Sequence, residues 1–281
     1  MNKHGIVLVS GLLLLQLLGT GCNKQTALAN DTADKHMILD LGKGVTMKLA
    51  LVPAGKFVMG SPKSEIGRNK NEGPQHEVTI SKPFYMGVTE VTQAQWKTVM
   101  EFIPWEEHIY AKSGDNYAAS CVSWYRANEF CDKLSLKLGR KVWIPTEAQW
   151  EYACRAGGKT IYGFGDDASK LGDYAWCHDN TWKAGEKYTH KVGLKKPNAF
   201  GLYDMHGNVH EWCRDVYDEK FYANSKSVDP ENITKEYTRI LRGGSWCSDQ
   251  YHCRSASRDW CTKGRRFNYY TFGLRIVVGA K

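Results

Sequence analysis

Residues 198–212 read NAFGLYDMHGNVHEW, and the chain follows them with LRGGSW at 241–246 and CRSASR at 253–258. Glycine and asparagine supply backbone bends that other residues resist, while tryptophan and tyrosine supply large rigid walls. Turn residues, aromatics and charges packed this densely describe a site built on loops. Outward from this stretch, three helices are legible. Thr92 caps a helix carrying Trp96, Val99 and Met100 on one side. Ser123 caps a second, in which Trp124, Ala127, Phe130, Cys131, Leu134 and Leu138 recur at three- and four-residue spacing until Gly139 ends it. Thr146 opens a third, with Gln149 placed to complete a capping box, running through Trp150 and Ala153 to Gly157.

Short strand signals occupy 47–52, 56–59, 77–80 and 84–88, the first two separated by Pro53-Ala54-Gly55. Beyond Gly157 regular signals thin out, with strands expected only near 189–192, 239–242 and 274–278, a pattern usual for functional or ligand-ordered loops. Ten Trp and fifteen Tyr with 27 Gly in 281 residues exclude a simple helical bundle and disorder alike. The net charge of +8 is scattered in short clusters such as Lys195-Lys196, and no nucleic-acid-binding motif accompanies it, so a solvated basic face is expected and no nucleic-acid partner. H-E-x-x-H, G-x-S-x-G and Walker A signatures are absent.

At the N-terminus, Lys3 and His4 precede an apolar run over residues 6–18, the layout of a signal sequence. Cys22 stands directly after that run behind the small residues Thr20 and Gly21, as at a bacterial lipobox, although Gly19 stands where a large aliphatic is usual. Ala27-Leu28-Ala29 is the competing, ordinary cleavage site. The organisation expected is a leader over 1–22 with Cys22 lipidated, a polar tether over 23–46 and one domain over 47–281. That makes the chain an exported, membrane-anchored lipoprotein of a bacterial envelope, or with the second cleavage site a soluble periplasmic or secreted protein. Export places the other eight cysteines where disulfides persist, and an even number permits full pairing without choosing one.

Together with FVMGSP at 57–62, EVT at 90–92, WIPTEAQWEYACRAG at 143–157 and FGLR at 272–275, the phrases above resemble, in order from about residue 47 to 278, the formylglycine-generating enzymes, or sulfatase-modifying factors. The resemblance implies an α+β, C-type-lectin-like fold that is loop-rich, with few helices and short antiparallel strands. It also implies a calcium site at Asp204, Gly207, Val209 and Glu211, where Asp204 replaces a common asparagine and keeps an oxygen ligand, as a hard cation prefers. The enzymes hold Cu(I) between two cysteinates that follow a GGSY phrase and are separated by four residues, and they oxidise a peptidyl cysteine to formylglycine. Carried over, Ser245, Cys247 and Cys253 are the catalytic residues and the two thiols the copper ligands, with five residues between them here. The resemblance equally implies a structural pairing of Cys154 with Cys253, by analogy with a family disulfide joining the third helix to this segment.

A family tryptophan is replaced by His210, which with Trp246, Arg265 and Arg266 is expected to contact ligand, whereas Arg254, Arg258 and Arg275 are expected to hold the loops together. Two functions therefore stand side by side. One is a copper-dependent oxidase of peptidyl cysteine, a formylglycine-generating oxidoreductase. The other is a non-catalytic envelope binding or structural module on the same fold, recognising a peptide, protein or glycan.

Overall fold

The computed structural model describes residues 34–262 and 269–280, so the leader with Cys22, and Arg265 and Arg266, lie outside the described residues. Eleven strands form three sheets among these residues. The largest runs in the order β1 (His36–Gly42), β2 (Val45–Val52), β5 (Phe84–Gly87), β11 (Val277–Gly279), β6 (Val142–Trp143), antiparallel throughout. Its side chains alternate between two apolar layers, as the two-residue period of a strand requires. Met47, Leu49 and Tyr85 face a layer that includes Trp96, Phe130 and Leu134, while Ala50, Val52, Phe84 and Met86 face one that includes Trp150 and Ala153. The first layer is closed by helices α1 (Gln93–Val99) and α2 (Trp124–Leu138), whose Trp96 and Phe130 rings stack at 5.5 Å, and the second by α3 (Glu147–Arg155).

The three expected helices begin where their caps place them. Thr92, Ser123 and Thr146 accept from the backbone amides of Gln95, Arg126 and Gln149, and Gly139 ends α2 in the left-handed conformation at φ 59°. Helix α3 stops at Arg155, two residues before Gly157, because Ala156 itself turns left-handed at φ 46°. Two corrections concern strands. Residues 36–42, inside the stretch read as tether, are strand β1, whose alternate residues Leu39 and Leu41 are buried against β2. Residues 189–192 form no strand, only a single bridge from Lys191 to Tyr117.

A second sheet, in the order β10 (Phe272–Gly273), β7 (His210–Val216), β8 (Thr238–Arg242), β9 (Asp259–Thr262), carries the site. Strand β3 (Gly55–Met59) pairs with β4 (His76–Ile80) as a two-stranded sheet among the described residues. Helices α4 (Leu171–Tyr174) and α5 (Phe221–Asn224) are single turns, and the other described residues form three short 3-10 turns and loops. The architecture is α+β and loop-rich, with short and mostly antiparallel strands, as the resemblance implies.

Candidate functional site

The phrase at 198–212 folds by its own polar side chains. Asn198 accepts from the amides of Phe200 and Leu202 and donates to the carbonyls of Ala153 and Cys154, which ties the phrase to the end of α3. Asn208, left-handed at φ 64°, accepts from the His190 amide at 2.9 Å through Oδ1, while its own amide donates to the Trp176 carbonyl and its carbonyl accepts from Trp246. One asparagine thus joins three loops. Gly207 is required beside it, since a Cβ there would stand 2.2 Å from the Trp176 carbonyl oxygen.

Beneath this turn lies a buried charge cluster. Both Glu211 oxygens are taken, by Arg275 (Nη2 to Oε1, 2.7 Å; Nε to both, 3.0 Å) and by Trp150 Nε1 at 2.7 Å. Asp204 Oδ2 accepts from the Gly193 amide at 2.7 Å, while its Oδ1 and both oxygens of buried Glu90 meet no other donor, the two carboxyls facing each other closely enough for a Glu90 hydrogen bond to hold Asp204 down against burial. Burial is the main reason both acids are pushed up, Asp204 to about 6 and Glu90 well above the usual range, and for Glu90 the Asp204 carboxyl adds to it. Orphaned carboxylate oxygens fit a hard cation, and the acid pair Asp204 and Glu90 offers them. Glu211, expected as a calcium ligand, offers none, because its oxygens already serve Arg275 and Trp150. Among the described residues no three His, Cys, Asp or Glu side chains converge as a metal cluster. Glu90 lies in the EVT phrase; its type was legible and its place beside Asp204 was not.

A cavity of about 430 Å³ opens between the GGSW segment, β9 and β10, lined by His210, Ser245, Cys247, Asp259, Trp260 and Tyr270 among others. Ser245 Oγ stands 3.4 Å from Cys247 Sγ and 3.1 Å from Ser248 Oγ. His210 reaches the cavity from β7 with its Nδ1 buried and unpartnered, and burial holds its imidazole below the ordinary histidine range. Cys253 does not line the cavity. It is fully buried beneath Gly244, its Sγ 3.9 Å from the Ser248 carbonyl. Burial raises both thiols, Cys253 far above the usual range, and its neighbours Cys177, Asp249, Cys247 and Asp179 push it the same way. A linear copper dithiolate needs two sulfurs presented to one point and readily deprotonated, so this donor pair fits Cu(I) poorly.

The expected bond between Cys154 and Cys253 is not formed in this structure. Cys154 Sγ instead faces the His206 ring, 3.8 Å from Nε2, and His206 Nδ1 bonds the Cys253 carbonyl at 2.8 Å. Trp246, expected to touch ligand, is fully buried and stacks on Trp182 at 5.8 Å as the wall behind the cavity. Arg254, Arg258 and Arg275 hold the loops as expected, through carboxylates as well as carbonyls: Arg254 with Glu65 and Glu72, Arg258 with Glu147, Arg275 with Glu211. Asp259 and Cys261 reach the cavity without any sequence signal, because strand pairing brings them there.

The family model for the sulfatase-modifying factor enzyme 1-like domain matches residues 43–280. The formylglycine-generating enzyme of Streptomyces coelicolor is 28% identical over 255 residues, covering 71% of this chain and 79% of that protein. A serine/threonine-protein kinase pkn1 of Chlamydia caviae is 28% identical over 258 residues, which cover 83% of this chain but only 38% of the kinase's length. The solved structure of PvdO from Pseudomonas aeruginosa superposes with a TM-score of 0.76 at 26% identity, over 87% of this chain and 98% of that one. The chain belongs to the sulfatase-modifying factor enzyme 1-like domain family.

Proposed function

We propose that this chain is an exported ligand-binding domain that keeps the formylglycine-generating-enzyme fold without its copper oxidase chemistry, and that a peptide or protein segment occupies the cavity beside Cys247. The observation that carries this reading is the unequal exposure of the expected thiols: Cys247 lines the cavity with Ser245, whereas Cys253 is fully buried and does not line it. The lining supports a polar polypeptide as ligand. Ser245, Ser248, Thr271 and Asp259 offer hydrogen bonds, while Tyr270, Phe272 and the partly exposed Trp260 offer apolar contact. His210 Nδ1 supplies a buried group that a ligand donor or acceptor would satisfy.

A calcium ion would be held by Asp204 and Glu90, where it would neutralise two buried acids and brace the 198–212 turn. Export and a lipid anchor at Cys22 belong to the same reading, and replacing Cys22 should release the protein from membranes. The oxidase is the second reading, favoured by the Ser245 and Cys247 contact at the cavity and by family membership. The deciding experiment incubates the reduced protein with Cu(I), oxygen and a cysteine-containing sulfatase peptide, and traps aldehyde with an aminooxy probe. No aldehyde is expected, together with peptide-dependent quenching of Trp260 that Cys247→Trp abolishes. Catalytic aldehyde formation would overturn the binding-module reading.

A further inference from the structure

We propose that Cys177 and Cys253 are a cross-linking pair that closes as a disulfide when the chain folds under an oxidising thiol–disulfide poise. Both side chains are buried in one small apolar cluster with Tyr162, Leu171 and Ala175. Their backbones are joined as well. The His178 amide donates to the Ser248 carbonyl at 2.9 Å, and Cys253 Sγ lies 3.9 Å from that same oxygen. The Thr181 hydroxyl contacts both the Cys177 and Trp246 carbonyls, so the chain just after Cys177 is fastened to the segment leading to Cys253. Cys177 also heads the neighbouring groups that disfavour a Cys253 thiolate, ahead of Asp249 and Cys247.

The alternatives are occupied elsewhere. The His206 imidazole touches the Cys154 sulfur and donates to the Cys253 carbonyl, with its Nε2 accepting from the Gly163 amide. Cys247 turns to Ser245 at the cavity. A bond between Cys177 and Cys253 would fasten the segment carrying Trp182 to the one carrying Trp246 and Cys247, stiffening one wall of the cavity. It would also withdraw Cys253 from any copper set.

The oxidant is a small disulfide such as oxidised glutathione. One cysteine thiolate attacks it, forming a mixed disulfide and releasing one glutathione thiol, and the second cysteine then displaces the other glutathione. Two protein S–H bonds and one glutathione S–S bond are exchanged for one protein S–S bond and two glutathione thiols. Burial raises both thiols, so the step belongs to the folding or locally opened chain rather than the closed native state.

The test refolds the full chain from the reduced, denatured state in a glutathione buffer, alkylates remaining thiols and maps peptides by mass spectrometry. The expected result is a linked Cys177–Cys253 peptide with Cys154 and Cys247 alkylated. A higher melting temperature in oxidised than in reduced protein should accompany it, lost in Cys177→Ser and retained in Cys154→Ser. A Cys154–Cys253 peptide, or Cys177 alkylated at every poise, would overturn the proposal. The wild-type map decides even if a variant does not fold.

Discussion

Arg275→Leu is the substitution that most directly tests the buried charge cluster. The guanidinium is fully buried, holds both Glu211 oxygens, and donates to the carbonyls of Gly87 and Tyr203 at 2.8 Å each. It is also the cation that offsets Glu90 and Asp204. Leucine leaves Glu211 buried beside two further acids, and removing one partner of a buried pair costs about 3–5 kcal/mol. The two freed carbonyls add to this, each unsatisfied buried group costing about 1–3 kcal/mol, although contributions within one cluster do not sum. A loss of about 5 kcal/mol is expected, which at roughly 2–4 °C per kcal/mol for a domain of this size lowers the melting temperature by roughly 10–20 °C. Urea denaturation in chelator measures it, and repetition in millimolar calcium should recover part of the loss by neutralising Asp204 and Glu90. A loss below about 1 kcal/mol in chelator, the range of an exposed pair, would refute the reasoning.

Three further predictions follow from the same geometry. Glu90→Gln should weaken the stabilisation that calcium gives, whereas Glu211→Gln should destabilise equally with calcium and with chelator; melting curves under both conditions decide, and a calcium response unchanged by Glu90→Gln counts against the acid pair. In reduced native protein Cys247, half-buried at the cavity, should react with a maleimide well before Cys253, which should react only on unfolding, as timed alkylation would show. His206 is satisfied only when neutral, donating from Nδ1 to the Cys253 carbonyl and accepting at Nε2 from the Gly163 amide, and burial lowers its pKa to about 4. A histidine depressed in the fold contributes stability that is present above its unfolded value and lost as pH falls. Wild type should therefore lose up to about 3 kcal/mol relative to His206→Gln between pH 6.5 and 4. Parallel pH profiles for the two proteins would contradict this.

Local signals in the chain were enough for the helices. Capping residues and the apolar spacing of α2 act within a few positions, so Thr92, Ser123, Thr146 and Gly139 mark their ends without help from the rest of the molecule. Strand β7 was not legible, because all but one of its residues are buried and no polar face alternates with the apolar one. Strand β11 begins only at Val277, although the Gly87 amide still donates to the Ile276 carbonyl just before it.

The turn chemistry of residues 198–212, the helix boundaries and the family were set by short-range features of the sequence, where each residue acts through its own backbone or its near neighbours. Which acids share a site, which cysteine faces the cavity and which is sealed beneath Gly244 were decided by tertiary structure. Glu90 and Asp204 are far apart in the chain, and Cys247 and Cys253 only a few residues apart. Separation in sequence therefore indicated neither the meeting of the acids nor the parting of the thiols, because burial and packing between distant segments set the direction of each side chain.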